Sequence, residues 1–510
     1  MELSAIIKRI ASQGLVLTPD AFEELKKCPP ELIEKVAEKA VDVAIKSQLA
    51  VVDAMIINVA LYEIRPEQLS SPMPETKPAV IVTPQTPSPI KPEAVEVTPS
   101  LEEVDSGIKI FSPSIQISKK PLEGYVKYFN SRYEKISKIF LARGVSHVPI
   151  ANIQRLPDNE TFTVIGLVRE KRAFRDKIFI DIDDPTGSTS VFVPANADPK
   201  LVDDVESVTS DVVCAFTAKK TSLNILKEVL FPEVPFRTLK GGENDVYAVL
   251  TGDFHFGSKS LLHHLLKKFE MWLNGEVGTP ELREIGKNVK YIIIAGDVAE
   301  GIGVYPDQLA DLEIINLQEQ YDTAARYFSE LPERIKIIAS PGNHDATQQA
   351  LPQPFPAPQF AKPFYGNPRI HLVPNPCLVD LEGVKILVYH GQGIEDVAQK
   401  IAGIRLIEPA KAMQYFLKVR HLAPVYGGKT AIAPNLEDEL VITEVPHVLH
   451  TGHIHIFSHT NYRGTIAVSG GAWQKQTDYQ IKQGITPTPG IIIALNLKTL
   501  KITPIDLNLF

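Results

Sequence analysis

The chain has 510 residues, 44% hydrophobic and 22% charged, with a formal net charge of −8. That length accommodates two or three domains with substantial cores, and no apolar run approaches the ~20 residues that span a bilayer. The acidic balance excludes a uniformly basic nucleic-acid coat while permitting a local basic groove.

Three scattered cysteines, Cys28, Cys214 and Cys377, do not make a disulfide framework or a zinc cluster. The opening MELSAIIKRIASQG lacks the pattern of a signal peptide, so a reduced, cytoplasmic protein without a membrane partner is expected. Residues 1–65 read as a helical N-terminal module. Leu3, Ile6, Ile7 and Ile10 share one face before Gly14, Thr18-Pro19-Asp20 fits a capped start, and Pro30 precedes a stripe of Leu32, Ile33, Val36 and Ala40. A fourth apolar segment covers roughly 48–62. Residues 66–120 read as a linker. The stretch 66–99 holds nine prolines, no glycine and no aromatic residue, which favours an extended tether, and an irregular path is expected to about 120.

Residues 121–240 begin with a helix, EGYVKYFNSRYEKISKIFLARG, anchored by Tyr125, Phe129, Ile136 and Phe140. Short alternating strands follow, with a turn at Asp184-Pro185-Thr186-Gly187 and further strands in DVVCAFTAKK and SLNILKEVLF. Five short strands in under 90 residues suit a Greek-key barrel of the OB type. Such barrels bind single-stranded nucleic acid on a basic, aromatic face. The candidate footprint is Arg169, Lys171, Arg172, Phe174, Arg175 and Lys177, with a solvated hairpin as the equal alternative.

Residues 241–510 carry the chemistry. Strands alternate with helical stretches such as SLLHHLLKKFEMWLNG, which predicts an α/β domain with ligands at the carboxyl ends of strands. VYAVLTGDFHFG is a buried strand running into Asp253 and His255, placed at i and i+2 so that an extended backbone would point both the same way. YIIIAGD ends at Asp297, IKIIASPGNHD brings Asn343, His344 and Asp345, VKILVYHG brings His390, and VPHVLHTGHIH brings His453 and His455. Twelve of the thirteen histidines lie after residue 250. Mixed oxygen and imidazole donors without thiolate suit Mn²⁺, Fe or Zn²⁺. Seven donors exceed the needs of one ion and fit two that share a carboxylate.

D-x-H, GD, GNHD, HG and GHIH in this order resemble the calcineurin-like metallophosphoesterases. The resemblance implies a β-sandwich flanked by helices, with one ion held by Asp253, His255, Asp297 and His455 and the second by Asp297, Asn343, His390 and His453. Asp297 is then the bridge. It further implies that His344 protonates the leaving oxygen, oriented by Asp345, and that attack is direct and in line.

RHLAPVYGG, DELVITEVPHVLHTGHIH, NYRGT and AWQKQTDYQIKQGITPTPG narrow the likeness to the small subunit of archaeal family-D DNA polymerases. That family implies a Mn²⁺-dependent 3′→5′ proofreading exonuclease acting on the primer 3′ end, bound to a large polymerising subunit in the nucleoid. Two alternatives stay open: a catalytically idle structural accessory subunit and a stand-alone phosphoesterase. The latter fits less well, because protein phosphatases of the fold show GDxxDRG and GNHE where this chain has GDVAEG and GNHD.

His421, His447 and His450 read as structural, and His263 and His264 as incidental. Trp473, Gln474 and Gln476 either pack beneath the site or touch a partner. The proline-rich loop 346–368 either shapes access to the site or is a rigid surface loop. The C-terminal ITPIDLNLF has the place of a contact for a sliding clamp, but it lacks the glutamine expected of such a motif.

Overall fold

The computed structural model describes residues 107–510 except 175 and 176, the backbone of 100–105, and a discontinuous set within the first 64 residues. Among the latter, helix α1 (Ile33–Lys46) buries Val36, Ala37 and Ala40 against Ala21, Leu25, Ile57 and Ala60. Val51–Val52 pairs in parallel with Val16–Leu17, so part of the segment expected as a fourth helix is extended. Leu3, Ile6, Ile7, the Thr18-Pro19-Asp20 cap, Pro30 and residues 66–99 lie outside the described residues.

The irregular path expected up to residue 120 is corrected. β1 (Ser100–Asp105) and β2 (Ile108–Ser112) form a hairpin, and β2 continues a large sheet through register pairs such as Val379↔Ile110. Ile108 and Ile110 are buried while Lys109 between them is exposed, so the strand alternates as one with a single buried face should.

Helix α2 (Pro121–Ala142) starts with proline at its first turn and buries Tyr128, Arg132, Ile136 and Phe140 at four-residue spacing. Tyr125 and Phe129 instead meet the ring of Tyr426 edge-on, at 5.1 and 5.4 Å. The barrel follows as β3 (Thr161–Phe174), β4 (Lys177–Asp184), β5 (Gly187–Val193), α3 (Pro199–Glu206), β6 (Val213–Lys219) and β7 (Ile225–Leu230). It closes in the order β3-β4-β5-β7-β6. The long β3 pairs with both β4 and β6, and a bulge at Val168/Glu170 lets it bend between them. In the β4–β5 turn, Asp184 Oδ1 accepts from Thr186 N at 2.7 Å and Gly187 N at 3.0 Å.

The last 270 residues build two stacked sheets. The first contains β8 (Tyr247–Thr251), β9 (Val289–Ala295), β10 (Lys336–Ser340) and β11 (Ile370–Leu372), all parallel. Between these strands run α4 (His263–Leu273) and α5 (Leu317–Glu330). α5 begins only at Leu317, where the Asn316 side chain accepts from Glu319 N and caps it. The second sheet contains β12 (Cys377–Leu381), β13 (Val384–Val388), β14 (Val448–Thr451), β15 (Ser458–Tyr462) and β16 (Thr465–Ser469) with β1 and β2. Helices α6 (Gly393–Lys400) and α7 (Pro409–Val419) connect β13 to β14, and α8 (Asp478–Gln483) follows β16. β17 (Ile491–Asn496) and β18 (Ile502–Asp506) return to the edge of the first sheet, so most of ITPIDLNLF is an edge strand with Leu507 buried behind it.

The sheets enclose a core of Ala248, Leu250, Ile293, Ile338, Val379, Ile386, Val388, Val448 and Val468. A second core under α4 and α5 holds Phe254, Phe269, Trp272, Tyr321, Phe328 and Trp473. The third joins the barrel to the far face of the second sheet, running from Val164 and Phe216 to Phe416 and Leu449. At that junction Arg132 donates to Asp438 (2.7 Å) and to the carbonyls of Asp211 (2.7 Å) and Pro424 (3.0 Å). Among the described residues no helix is long and apolar enough to cross a membrane.

Candidate metal centre

Five loops converge here, each leaving the carboxyl end of a strand. Asp253 and His255 follow β8, Asp297 follows β9, Asn343 and His344 follow β10, His390 follows β13, and His453 and His455 follow β14. The extended geometry expected for Asp253 and His255 is corrected. Both have φ +54°, and their convergence comes from a turn that passes twice through the left-handed region. Asp297 (φ +50°), His453 (φ +70°) and His455 (φ +62°) share that conformation. Non-glycine residues there cost energy and persist where surrounding structure imposes them, most often at functional sites. Two glycines allow the approach: a Cβ at Gly296 would lie 2.2 Å from His390 Nδ1, and one at Gly342 2.3 Å from Asp297 Oδ1.

The donors form overlapping groups, Asp253 with His255 and His455, His255 with Asp297 and His344, and Asp297 with His390 and His453. His255 Nε2 lies 3.1 Å from His455 Nε2 and 3.6 Å from Asp297 Oδ2. His390 Nε2 is 3.2 Å from Asp297 Oδ2 and 3.0 Å from Asn343 Oδ1. Asp297 thus stands between the two halves. The orientation of each ring is set from behind. His390 Nδ1–H donates to the Ala295 carbonyl at 2.7 Å, and His255 Nδ1 lies 2.8 Å from Glu300 Oε2. His453 Nε2 is 3.5 Å from Glu395 Oε1, and the Gln480 amide is 2.8 Å from His455 Nδ1. In the first two rings Nδ1 faces an acceptor and Nε2 is turned toward Asp297. This buried, convergent donor set fits divalent cations.

The carboxylates and imidazoles act strongly on one another's protonation. Burial alone would favour a neutral Asp297, but His390, His344 and His255 hold its carboxyl well below the usual range. Burial would depress His255, yet Glu300, Asp297 and Asp253 hold it up at about 9. Burial and the nearby His255 push His455 well below its ordinary value.

His344 sits at the edge of the cluster, with Nδ1–H donating to the Glu300 carbonyl at 2.8 Å. The expectation that Asp345 orients this ring is corrected. Asp345 is buried and accepts from Gly342 N (2.9 Å), Val298 N (3.2 Å), Ala299 N (3.1 Å) and Tyr321 Oη (2.8 Å). It ties the loop after β10 to the loop after β9, and Glu300 takes the orienting place. Glu300 also accepts from Gln474 Nε2 at 2.8 Å and Tyr305 Oη at 3.2 Å. Sequence reasoning missed Glu300 and Glu395. Glu300 stands three residues after Asp297 in GDVAEG, which was a usable signal; Glu395, in the first turn of α6, offered none.

Among the described residues of the barrel footprint, three cations have acidic or carbonyl neighbours. Arg172 pairs with the buried Asp181 at 2.6 Å, and Arg169 lies 3.7 Å from Asp181 and 4.0 Å from Asp183. Lys171 donates to the carbonyls of Val205 and Glu206, both at 3.1 Å. Lys177 opens β4, while the side chain of Phe174 and all of Arg175 lie outside the described residues. Trp473 is buried beneath the site, stacked on Phe254 at 4.9 Å and donating to Thr251 Oγ1 at 3.0 Å. His421 pairs with Asp438 at 2.8 Å, and His450 Nε2–H donates to the Thr251 carbonyl at 3.0 Å. Loop 346–368 is pinned by Leu351, whose N–H donates to Ala431 O and whose carbonyl accepts from Ala433 N.

Residues 248–458 match the family of DNA polymerase alpha/epsilon B subunits. The chain is 42% identical over 370 residues to the DNA polymerase II small subunit of Archaeoglobus fulgidus, covering 72% of this chain and 74% of that protein. It is 38% identical over 381 residues to the protein of that name from Methanothermobacter thermautotrophicus, covering 74% and 78%. Among solved structures it resembles Vps29 of Entamoeba histolytica complexed with zinc (14% identity, TM-score 0.24, covering 52% and 100%). A conserved uncharacterized protein, predicted phosphoesterase, from Streptococcus pneumoniae TIGR4 gives 13% identity and a TM-score of 0.22, covering 52% and 92%. The class is therefore that of accessory subunits of DNA polymerases. Within it, this chain belongs to the family of archaeal DNA polymerase II small subunits.

Proposed function

We propose that the chain is the metal-dependent 3′→5′ exonuclease of a two-subunit replicative polymerase, removing nucleotides from a primer 3′ end and binding a large polymerising subunit. The observation that carries this reading is the gathering of all seven expected donors, Asp253, His255, Asp297, Asn343, His390, His453 and His455, in one cluster of overlapping groups beside His344, five of them buried. An idle accessory subunit has no use for so complete a set.

Asp253, His255, Asp297 and His455 would hold one divalent ion, and Asp297, Asn343, His390 and His453 the other, with Mn²⁺ the best fit and Fe or Zn²⁺ compatible. Such ions supply an activated water at neutral pH and offset charge on the phosphoryl group. The chain's own residues do the rest. His344, held through Nδ1 by the Glu300 carbonyl, presents Nε2 to the bridging oxygen of the scissile diester. As the P–O3′ bond breaks and water's oxygen bonds to phosphorus, that nitrogen gives its proton to O3′. The closed barrel is proposed to be of the OB type, and the chain to divide at about residues 65, 120 and 240, with the hairpin 100–112 belonging to the last unit. A cytoplasmic, nucleoid-associated location follows from the replicative role.

The test is shortening of a 5′-labelled single-stranded oligonucleotide with Mn²⁺, alone and with the large subunit, by wild type, His344→Ala and Asp297→Asn. Stepwise 3′→5′ shortening lost in both variants supports the reading. An inert wild type in both settings would leave the structural-subunit alternative.

A further inference from the structure

The metal cluster forms the floor of a cavity of about 240 Å³ whose other walls include Val304, Tyr305, Tyr479, Gln480 and Ile485. Its two tyrosines differ in a way that assigns them different work. Tyr305 is anchored, its hydroxyl meeting Glu300 at 3.2 Å and Asp311 at 3.1 Å, and its ring centroid lies 6.2 Å from that of His344. Tyr479 is 50% exposed and engages no hydrogen bond and no ring among the described residues.

That exposure is not slack. Tyr479 lies in the first turn of α8, which is closed by a capping box between Thr477 and Gln480. Gln480 is buried, and its amide reaches His455 Nδ1 at 2.8 Å. The helix is therefore tied to the donor cluster, and Tyr479 is held at a defined place at the mouth. An exposed aromatic ring carried on an anchored helix beside the donor cluster matches a nucleobase, since base–aromatic stacking is strong and tolerant of sequence.

Three polar groups beside Tyr479 and Glu300 are already engaged. Gln474 Nε2 donates to Glu300, Gln480 Oε1 accepts from Thr477 N, and Thr477 Oγ1 accepts from Gln480 N. They are not free to read base edges. The cavity, at about 240 Å³, is small beside the ~300–1,000 Å³ of ligand pockets, which favours a single terminal residue over a paired end.

On the exonuclease reading, on which this rests, we infer that Tyr479 is the stacking platform for the base of an unpaired terminal nucleotide, and that the site accepts all four bases alike. Pairing of the primer end then protects it, and fraying exposes it whatever the base.

The test uses the full chain and a single-stranded oligonucleotide carrying 5-iodouracil at its 3′ end, with Ca²⁺ replacing Mn²⁺ so that the strand stays intact. Irradiation should cross-link the Tyr479 peptide, and a cross-link confined to other segments overturns the inference. With Mn²⁺, Tyr479→Ala should raise KM for the oligonucleotide about tenfold with kcat little changed, and Tyr479→Phe should restore it. Release of a 3′-terminal abasic residue, which offers no ring to stack, should be as fast in both variants as in wild type. Equal losses on both substrates would make Tyr479 merely structural and overturn the inference. Oligonucleotides ending in A, C, G or T should differ by less than about threefold; a larger spread defeats the claim of neutrality. Cross-linking at Tyr479 without any shortening by wild type would remove the exonuclease reading and leave the stacking site, so the two failures are distinct.

Discussion

Glu300 Oε2 lies 2.8 Å from Nδ1 of His255, while the main-chain carbonyl of the same glutamate accepts from His344 Nδ1 at 2.8 Å. One residue thus orients a proposed metal ligand through its side chain and the proposed acid through its backbone. Glu300→Gln keeps the backbone contact and removes only the negative charge behind His255. Partners of this kind are worth 10–100-fold in metal affinity. Calorimetric titration with Mn²⁺ should therefore show about a tenfold weaker tight site in the variant. Activity should recover at high Mn²⁺, and unchanged affinity would place Glu300 outside the metal's support.

Asp345 makes a different demand. It accepts three hydrogen bonds from two loops and a fourth from Tyr321 on α5, and sits 3% exposed. Asp345→Asn turns one acceptor oxygen into a donor that faces backbone N–H groups, leaving buried groups unsatisfied. The expected cost is about 2–4 kcal/mol, read as a lower denaturant midpoint. If Asp345 instead tuned His344 directly, the variant would keep its stability and show an altered pH–rate profile.

The donor cluster was legible because residue types with few structural uses recur at strand ends. Asp253, Asp297 and His453 each follow an apolar run and a glycine, and His390 follows such a run and precedes a glycine, a pattern that chance seldom repeats. The direction of Asp345 was not legible, because adjacency to His344 in GNHD says nothing of where each side chain points. Consecutive side chains diverge, and this one turns into the protein toward Tyr321. The hairpin of β1 and β2 was hidden because its partner, β12, lies some 270 residues downstream and the five-residue alternation in IKIFS is too short to stand out beside a proline-rich stretch. The pairing of the barrel arginines was hidden for a related reason. Asp181 and Asp183 lie across the hairpin, and only strand register reveals that they neutralise Arg169 and Arg172.

His421 gives a pH-dependent term in stability. Its Nδ1 accepts from Ala423 N at 3.1 Å and its Nε2–H donates to Asp438 at 2.8 Å, a pattern that requires the neutral ring. Burial, reinforced by Arg132 and opposed by Asp438, pulls its pKa down to about 4. Below pH 6.5 the unfolded chain takes up a proton that the folded chain refuses, so stability is full above that value and falls as the pH drops toward 4. Between pH 8 and pH 5 the loss from this group is about 2 kcal/mol. His421→Gln should be less stable at pH 8 and show a shallower decline in denaturant midpoint. A decline as steep as that of wild type would assign the pH dependence to other groups.

Arg172 separates a structural role from a nucleic-acid role for the barrel face. Its guanidinium lies 2.6 Å from Asp181, whose carboxylate is almost fully buried and also accepts from Ser190. Removing the cation leaves that buried charge to the more distant Arg169, 3.7 Å away. Arg172→Ala should therefore destabilise the chain by roughly 1–3 kcal/mol. Its affinity for a single-stranded oligonucleotide, followed by fluorescence anisotropy, should change by less than about twofold, because the guanidinium is already committed. The double variant Arg172→Leu with Asp181→Leu tests the cause, since it removes the stranded charge along with its partner and should recover much of the lost stability. A single variant that folds as well as wild type but binds the oligonucleotide tenfold more weakly would restore this face as the nucleic-acid surface.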